Sequence, residues 1–149
     1  MSDYHKPVML QQCLEGLDVR PEGTYVDVTF GGGGHAKEII DRLREGTLYA
    51  FDQDEDAKAN AKKLSDQLEQ KRSFTFIESN FRYLKRYLKF HGVTQVDGIL
   101  ADLGVSSHQL DEGARGFSTR FDGDLDMRMD QKAEQSAYHV VNEYPEADL

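Results

Sequence analysis

Apolar positions in this chain alternate between a helical and a strand spacing, and the switches mark out its elements. Leu10, Cys13, Leu14 and Leu17 recur at helical intervals, which predicts a short amphipathic helix within 7–17. Pro21-Glu-Gly23 makes a turn, and the β-branched and aromatic run Thr24 to Phe30 predicts a first strand. After a glycine run, Ala36, Ile39, Ile40 and Leu43 share one helical face that ends near Gly46. Thr47 to Asp52 is the second strand. Asp54 is placed to cap a helix whose stripe is Ala57, Ala61, Leu64 and Leu68. Ser73 to Ile77 alternates and continues into Glu78 as the third strand. Asn80 is placed to cap a helix carrying Phe81, Leu84 and Leu88 and closed at Gly92. Val96 to Leu103 is the near-continuous apolar run of a buried parallel strand, the fourth.

Strands alternating with helices predict an α/β fold with a right-handed, doubly wound parallel sheet. The regularity stops at Gly104. Residues 104–130 are dense in Gly, Ser, Asp and Arg and show no sustained period, so a long structureless segment, functional or disordered, is expected. Ala133, Ala137, Val140, Val141 and Tyr144 then resume a helical stripe. Pro145 to Leu149 reads as the first turn of another helix, at which the chain looks cut short.

Composition narrows the classes. With 38% hydrophobic and 30% charged residues in 149, the chain is expected to be soluble and globular. No apolar run approaches the roughly 18 residues that span a bilayer, so no membrane partner is expected. Met1 to Lys6 lacks the apolar centre of a signal peptide. The single cysteine, Cys13, excludes an intramolecular disulfide and fits a cytoplasmic location. Scattered histidines and the absence of a second cysteine argue against structural zinc. The net charge of −9 opposes nonspecific binding to nucleic acid and gives an RNA partner no electrostatic support, although a local basic patch can sit on an acidic body.

Candidate chemistry gathers around Tyr25-Val-Asp-Val-Thr-Phe-Gly-Gly-Gly-Gly-His35, a strand running through a glycine loop into a helix. Gly31-x-Gly33-x-x-Ala36 matches the dinucleotide fingerprint, and Asp52 lies 21 residues beyond Gly31, where an acid accepts ribose hydroxyls. This pattern serves nicotinamide, flavin and S-adenosylmethionine (AdoMet) enzymes alike, and a glycine turn made only for packing is its plain alternative. Asp27 favours AdoMet. A carboxylate beside a pyrophosphate is repelled, whereas a sulfonium and an ammonium are attracted. Capping of the turn is the other use for Asp27. Asp102 ends the fourth strand, so three acids converge at the carboxyl ends of strands, the ligand edge of such sheets. Magnesium is a competing use for them. Phe81 either stacks on an adenine or anchors its helix. His35 and His108 are acid–base candidates or simple hydrogen-bonding residues. Arg115, Arg120 and Arg128 meet phosphates or pair with the more numerous acids around them.

Several motifs occur together and in order: His5-x-Pro-Val-Met-Leu10, Tyr25-Val-Asp-x-Thr-Phe-Gly-x-Gly-Gly-His35, Asp97-Gly-Ile-Leu-x-Asp-Leu-Gly-Val-Ser-Ser-x-Gln-Leu-Asp111, Arg115-Gly-Phe-Ser118 and Asp124-Leu-Asp-Met-Arg-Met-Asp130. Across essentially its whole length the chain resembles the bacterial 16S ribosomal RNA cytosine-N4 methyltransferase family (RsmH or MraW). The resemblance implies a Rossmann-like class I AdoMet-dependent methyltransferase that methylates the exocyclic amine of a cytidine in small-subunit RNA. It implies cofactor contacts from Gly33, Gly34, His35, Asp52, Phe81, Asp102 and Gln109, and 16S rRNA within the small ribosomal subunit as partner.

Gly32 stands where the family often has a larger residue. Family members are also longer, with an inserted helical domain and further strands. On that resemblance, residues 1–130 are expected to form the AdoMet-binding core and 131–149 the start of the inserted domain. The sheet is then incomplete, its fourth strand an exposed edge prone to self-association, and methyl transfer by this chain alone weak or absent. Asp102 is a candidate acceptor for the amine's hydrogens. A nicotinamide-dependent oxidoreductase and a noncatalytic AdoMet-binding fragment are the alternatives.

Overall fold

The computed structural model describes residues 7–68 and 74–149, which form two compact units, one ending at Leu103 and the other running from Gly104 to Leu149. In the first unit α1 (Leu10–Leu17) precedes β1 (Thr24–Asp27), α2 (Gly34–Ile40), β2 (Thr47–Asp52), α3 (Glu55–Gln67), β3 (Phe74–Glu78), α4 (Leu84–Phe90) and β4 (Gly98–Leu100). The strands make one parallel sheet in the order β3-β2-β1-β4. This is the α/β architecture expected from the alternation.

The strand order explains which helix covers which face. The chain steps outward from β1 to β2 to β3, and the packing of α2 and α3 shows both helices on the same face. Ala36, Ile39 and Ile40 of α2 and Ala57, Ala61 and Leu64 of α3 pack there with Tyr25, Leu48, Ala50, Phe74 and Leu100. From β3 the chain must return past β1 to reach β4, and right-handed crossovers then put α4 on the opposite face. Leu88, with Leu84 and Tyr87, seals that face over Val26, Val28, Phe51 and Ile77. The reversal falls between β1 and β4, the place where open parallel sheets form a ligand crevice. Register sets Asp27 beside Ala50 and Leu100 at that edge.

Several boundaries differ from expectation: β1 stops at Asp27 rather than Phe30, and α2 at Ile40 rather than near Gly46. The fourth strand is Gly98–Leu100 rather than Val96–Leu103, and Ile99 is 49% exposed. Its apolar run alone signalled a strand buried on both sides; among the described residues it pairs only with β1, the exposed edge expected of an incomplete sheet. The fourth helix-forming stretch opens with a 3-10 turn, Phe81–Tyr83, before α4, with the Asn80 side chain accepting the Arg82 N–H as expected of a cap. The first residue expected in strand three, Ser73, and the start of the first motif, His5, lie outside the described residues.

The second unit corrects the expectation of a structureless 104–130. It contains α5 (Ser107–Asp111), a 3-10 turn at Gly113–Arg115, α6 (Ala137–Glu143) and a last turn at Glu146–Asp148. Order here comes from polar contacts with the main chain, which leave no apolar period to read. Ser106 and Gln109 form a reciprocal capping box at the start of α5. Buried Arg115 donates to the carbonyls of Arg128 and Met129, and Met127 N–H returns a bond to the Arg115 carbonyl.

Candidate cofactor site at the strand ends

The glycine loop is pinned from both sides. Gly31, at φ +52°, donates its N–H to Asp52 Oδ2 at 2.8 Å, while Asn60 on α3 donates to the Gly31 carbonyl at 3.3 Å. Gly31 is thereby clamped through both its peptide groups, between the end of β2 and a helix. Gly33 caps α2 at φ +79°, and a Cβ there would lie 2.7 Å from the Phe30 ring. A side chain at that position is excluded by strain and by contact. At Gly34 a Cβ would run into the Pro7 ring, so the segment before α1 lies close over the loop. Gly32 has no positive φ, which accords with a position where a larger residue fits.

Asp27, at the end of β1, is 1% exposed. Its Oδ1 accepts the N–H of Thr29 at 3.0 Å and the Thr29 hydroxyl at 3.4 Å, whereas Oδ2 is buried without a partner. Burial pushes the carboxyl up to about 6, and the Thr29 bonds and His35 offset only part of that. The turn-capping use is therefore real but accounts for one oxygen only. Burial also raises Asp52, against the pull of backbone N–H bonds from Asp54 and Gly31.

Thr29 joins two strand ends. While its hydroxyl donates to Asp27, its Oγ1 accepts the N–H of Asp102 at 2.8 Å. The Asp102 carboxylate itself is exposed and has no hydrogen-bond partner among the described residues. Phe81 lies three residues past the end of β3 and is 45% exposed, so the helix-anchor use fails; Leu84, Tyr87 and Leu88 anchor α4 instead. Buried His35 donates Nε2–H to the Val8 carbonyl at 3.0 Å, a bond that ties the loop's helix to the segment before α1.

Hydrogen bonds thus connect Gly31 with Asp52, and Asp27 with Asp102 through Thr29. Gln109 lies in the second unit, buried, its Oε1 accepting the Ser106 N–H of the capping box. Arg128 pairs with Asp126 at 2.6 Å and Arg115 holds main-chain carbonyls, which favours the internal use of both. Sequence reasoning passed over Thr29 and Asn60. Asp27-x-Thr29 has the spacing of a side-chain turn and was a usable signal, whereas nothing local marks Asn60.

The MraW methylase family model matches residues 2–149. The chain belongs to the MraW methylase family. It is 63% identical over 148 residues to a ribosomal RNA small subunit methyltransferase H of Flavobacterium johnsoniae, covering 99% of this chain and 47% of that protein. The enzyme of the same name from Christiangramia forsetii is 59% identical over 100% of this chain and 47% of its own length. This MraW-family chain therefore spans about half the length of the curated relatives it matches. Among solved structures, TrmN from Thermus thermophilus aligns at a TM-score of 0.55 and 27% identity, over 69% of this chain and 30% of that one. The C-terminal domain of precorrin-6Y C5,15-methyltransferase from Rhodobacter capsulatus aligns at 0.54 and 15%, over 74% and 56%, a likeness of fold.

Proposed function

We propose that this chain carries the cofactor-binding part of an enzyme that transfers a methyl group from AdoMet to the N4 amine of a cytidine in 16S rRNA. The observation that carries the choice of cofactor is the buried, unpartnered Oδ2 of Asp27 beneath the glycine loop. A negative charge there opposes a pyrophosphate and favours a ligand bearing a sulfonium and an ammonium. Because Asp27 is sealed, it acts on such a ligand through its field rather than by contact. Small residues at Gly33 and Gly34 keep the loop low, Asp52 ends β2, and Phe81 opens the turn that follows β3. The names of the relatives support ribosomal RNA of the small subunit as substrate.

When bound, AdoMet supplies an electrophilic methyl for in-line attack by the amine, with S-adenosylhomocysteine leaving. Gly33, Gly34, His35, Asp52, Phe81, Asp102 and Gln109 are the residues we assign to the cofactor. His35 Nε2 and Gln109 Oε1 are already engaged by Val8 and Ser106, so contact from these residues falls to other atoms, His35 Nδ1 or main-chain groups among them. The amine's lone pair is delocalised into the pyrimidine, so transfer requires an acceptor for its hydrogens. Asp102, with an exposed, unpartnered carboxylate on a backbone held by Thr29, is a candidate for that task only where it does not hold the cofactor; where it does, the acceptor is another group.

Calorimetric titration of the chain with AdoMet and, separately, with NAD tests the reading. AdoMet binding with no heat from NAD is expected. NAD binding without AdoMet binding reverses the assignment in favour of an oxidoreductase.

A further inference from the structure

Helix α4 and the turn before it carry charge and aromatic surface that the strand-end site does not use. From Ser79 to Val96 the chain contains Arg82, Lys85, Arg86 and Lys89 and neither Asp nor Glu, within a protein of net charge −9. Their spacing of three and four residues sets the cations on one side of the helix. The opposite side is spent on the sheet through Leu84, Tyr87 and Leu88. All four cations are exposed, and none has an ion pair among the described residues. Lys37, Arg42, Lys58 and Lys62 of the same unit do pair, with Asp41, Glu38, Glu78 and Asp66. Arg44 and Lys63 elsewhere in the unit are also exposed and without an ion pair among the described residues, but they stand singly; on α4 four unpaired cations share one side.

Exposed rings flank the cations. Phe90 is 84% and Tyr83 48% exposed, Arg82 lies over the Tyr83 ring at 5.8 Å, and Phe90 meets His91 edge-on at 5.4 Å. Cations neutralise phosphates, and open ring faces stack on unpaired bases; the two together are the surface chemistry of single-strand binding. An acidic peptide would use the charges but leave both rings in water.

We propose that the α4 face bearing Arg82, Lys85, Arg86 and Lys89, with Tyr83 and Phe90, docks single-stranded RNA. The proposal rests on the methyltransferase reading only for taking that RNA to be ribosomal. Fluorescence anisotropy of the 149-residue chain with a labelled single-stranded RNA of about 16 nucleotides reads it directly. In the combined variant R82Q/K85Q/R86Q/K89Q, affinity falls at least about tenfold at low salt. Between about 50 and 200 mM salt, the slope of log affinity against log salt becomes shallower by about 3. Phe90→Ala weakens binding about tenfold and leaves the slope unchanged. The AdoMet titration is unaltered in both variants. The proposal is overturned if the native chain does not bind the RNA, if the combined variant and Phe90→Ala both bind like the native chain, or if polyglutamate competes as well as RNA. Native RNA binding that both variants weaken, in a chain that takes no AdoMet, sinks the cofactor reading and leaves this surface standing.

Discussion

A carboxylate sealed from water opposes folding whenever it is ionised, and Asp27 is such a group. Its folded-state value is raised from 3.8 to about 6, so the folded chain holds the proton more tightly than the unfolded one. The stability this provides is complete below 3.8 and is lost as pH rises through about 6. At neutral pH the charge is a burden that only a cationic ligand offsets. Asp27→Asn should therefore stabilise the ligand-free chain by about 1–3 kcal/mol at pH 7.5 and not below pH 4, while weakening AdoMet. Thermal melts at the two pH values and calorimetry check both halves. Equal melting of both proteins at pH 7.5 would remove the argument. Sequence placed an acid here and named its charge preference; only the fold could say that one oxygen is used and the other stranded.

Between elements, Thr29 is the link that ties the β1 end to the β4 end, with Asp27 on one side of its hydroxyl and the Asp102 N–H on the other. Thr29→Val removes the hydroxyl at constant shape and with it both bonds, the one from the Asp102 N–H being worth about 1 kcal/mol. The Asp102 amide should then exchange with solvent about fivefold faster, and Thr29→Ser should restore its protection, as hydrogen-exchange measurements can show. Unchanged exchange in the valine variant would mean that the bond does not hold that loop. The elements themselves were largely readable. Periodicity found the strands and helices of the first unit because each buries an apolar stripe, Ala57, Ala61 and Leu64 on α3 being the clearest. It missed α5, whose order rests on the Ser106–Gln109 box and a buried arginine nearby, polar interactions that leave no hydrophobic rhythm.

For the whole molecule, average charge misled where local charge informs. A total of −9 speaks against an RNA partner, yet the basic run on α4 is in the sequence and becomes meaningful once its cations are seen unpaired and on one side. The sheet order has a second consequence. β4 pairs only with β1 among the described residues, and Ile99 on it is half-exposed. We propose that this edge joins a second copy when the chain is alone in solution. Light scattering at high protein concentration should report a mass above that of one chain, and Ile99→Lys should lower it. A monodisperse monomer would refute the proposal.

The sequence by itself determined the parallel α/β plan, the glycine loop and the acids at three strand ends, because each is a local consequence of spacing, backbone freedom and residue charge. Tertiary structure alone decided the rest. It sealed Asp27, engaged the His35 side chain with a distant carbonyl and made Thr29 a bridge, since these depend on residues that meet only after the strands are ordered. It also cut the fourth strand, already expected at an edge, from Val96–Leu103 back to Gly98–Leu100. Burial on both faces is a property of neighbours, and neighbours are not written along the run itself.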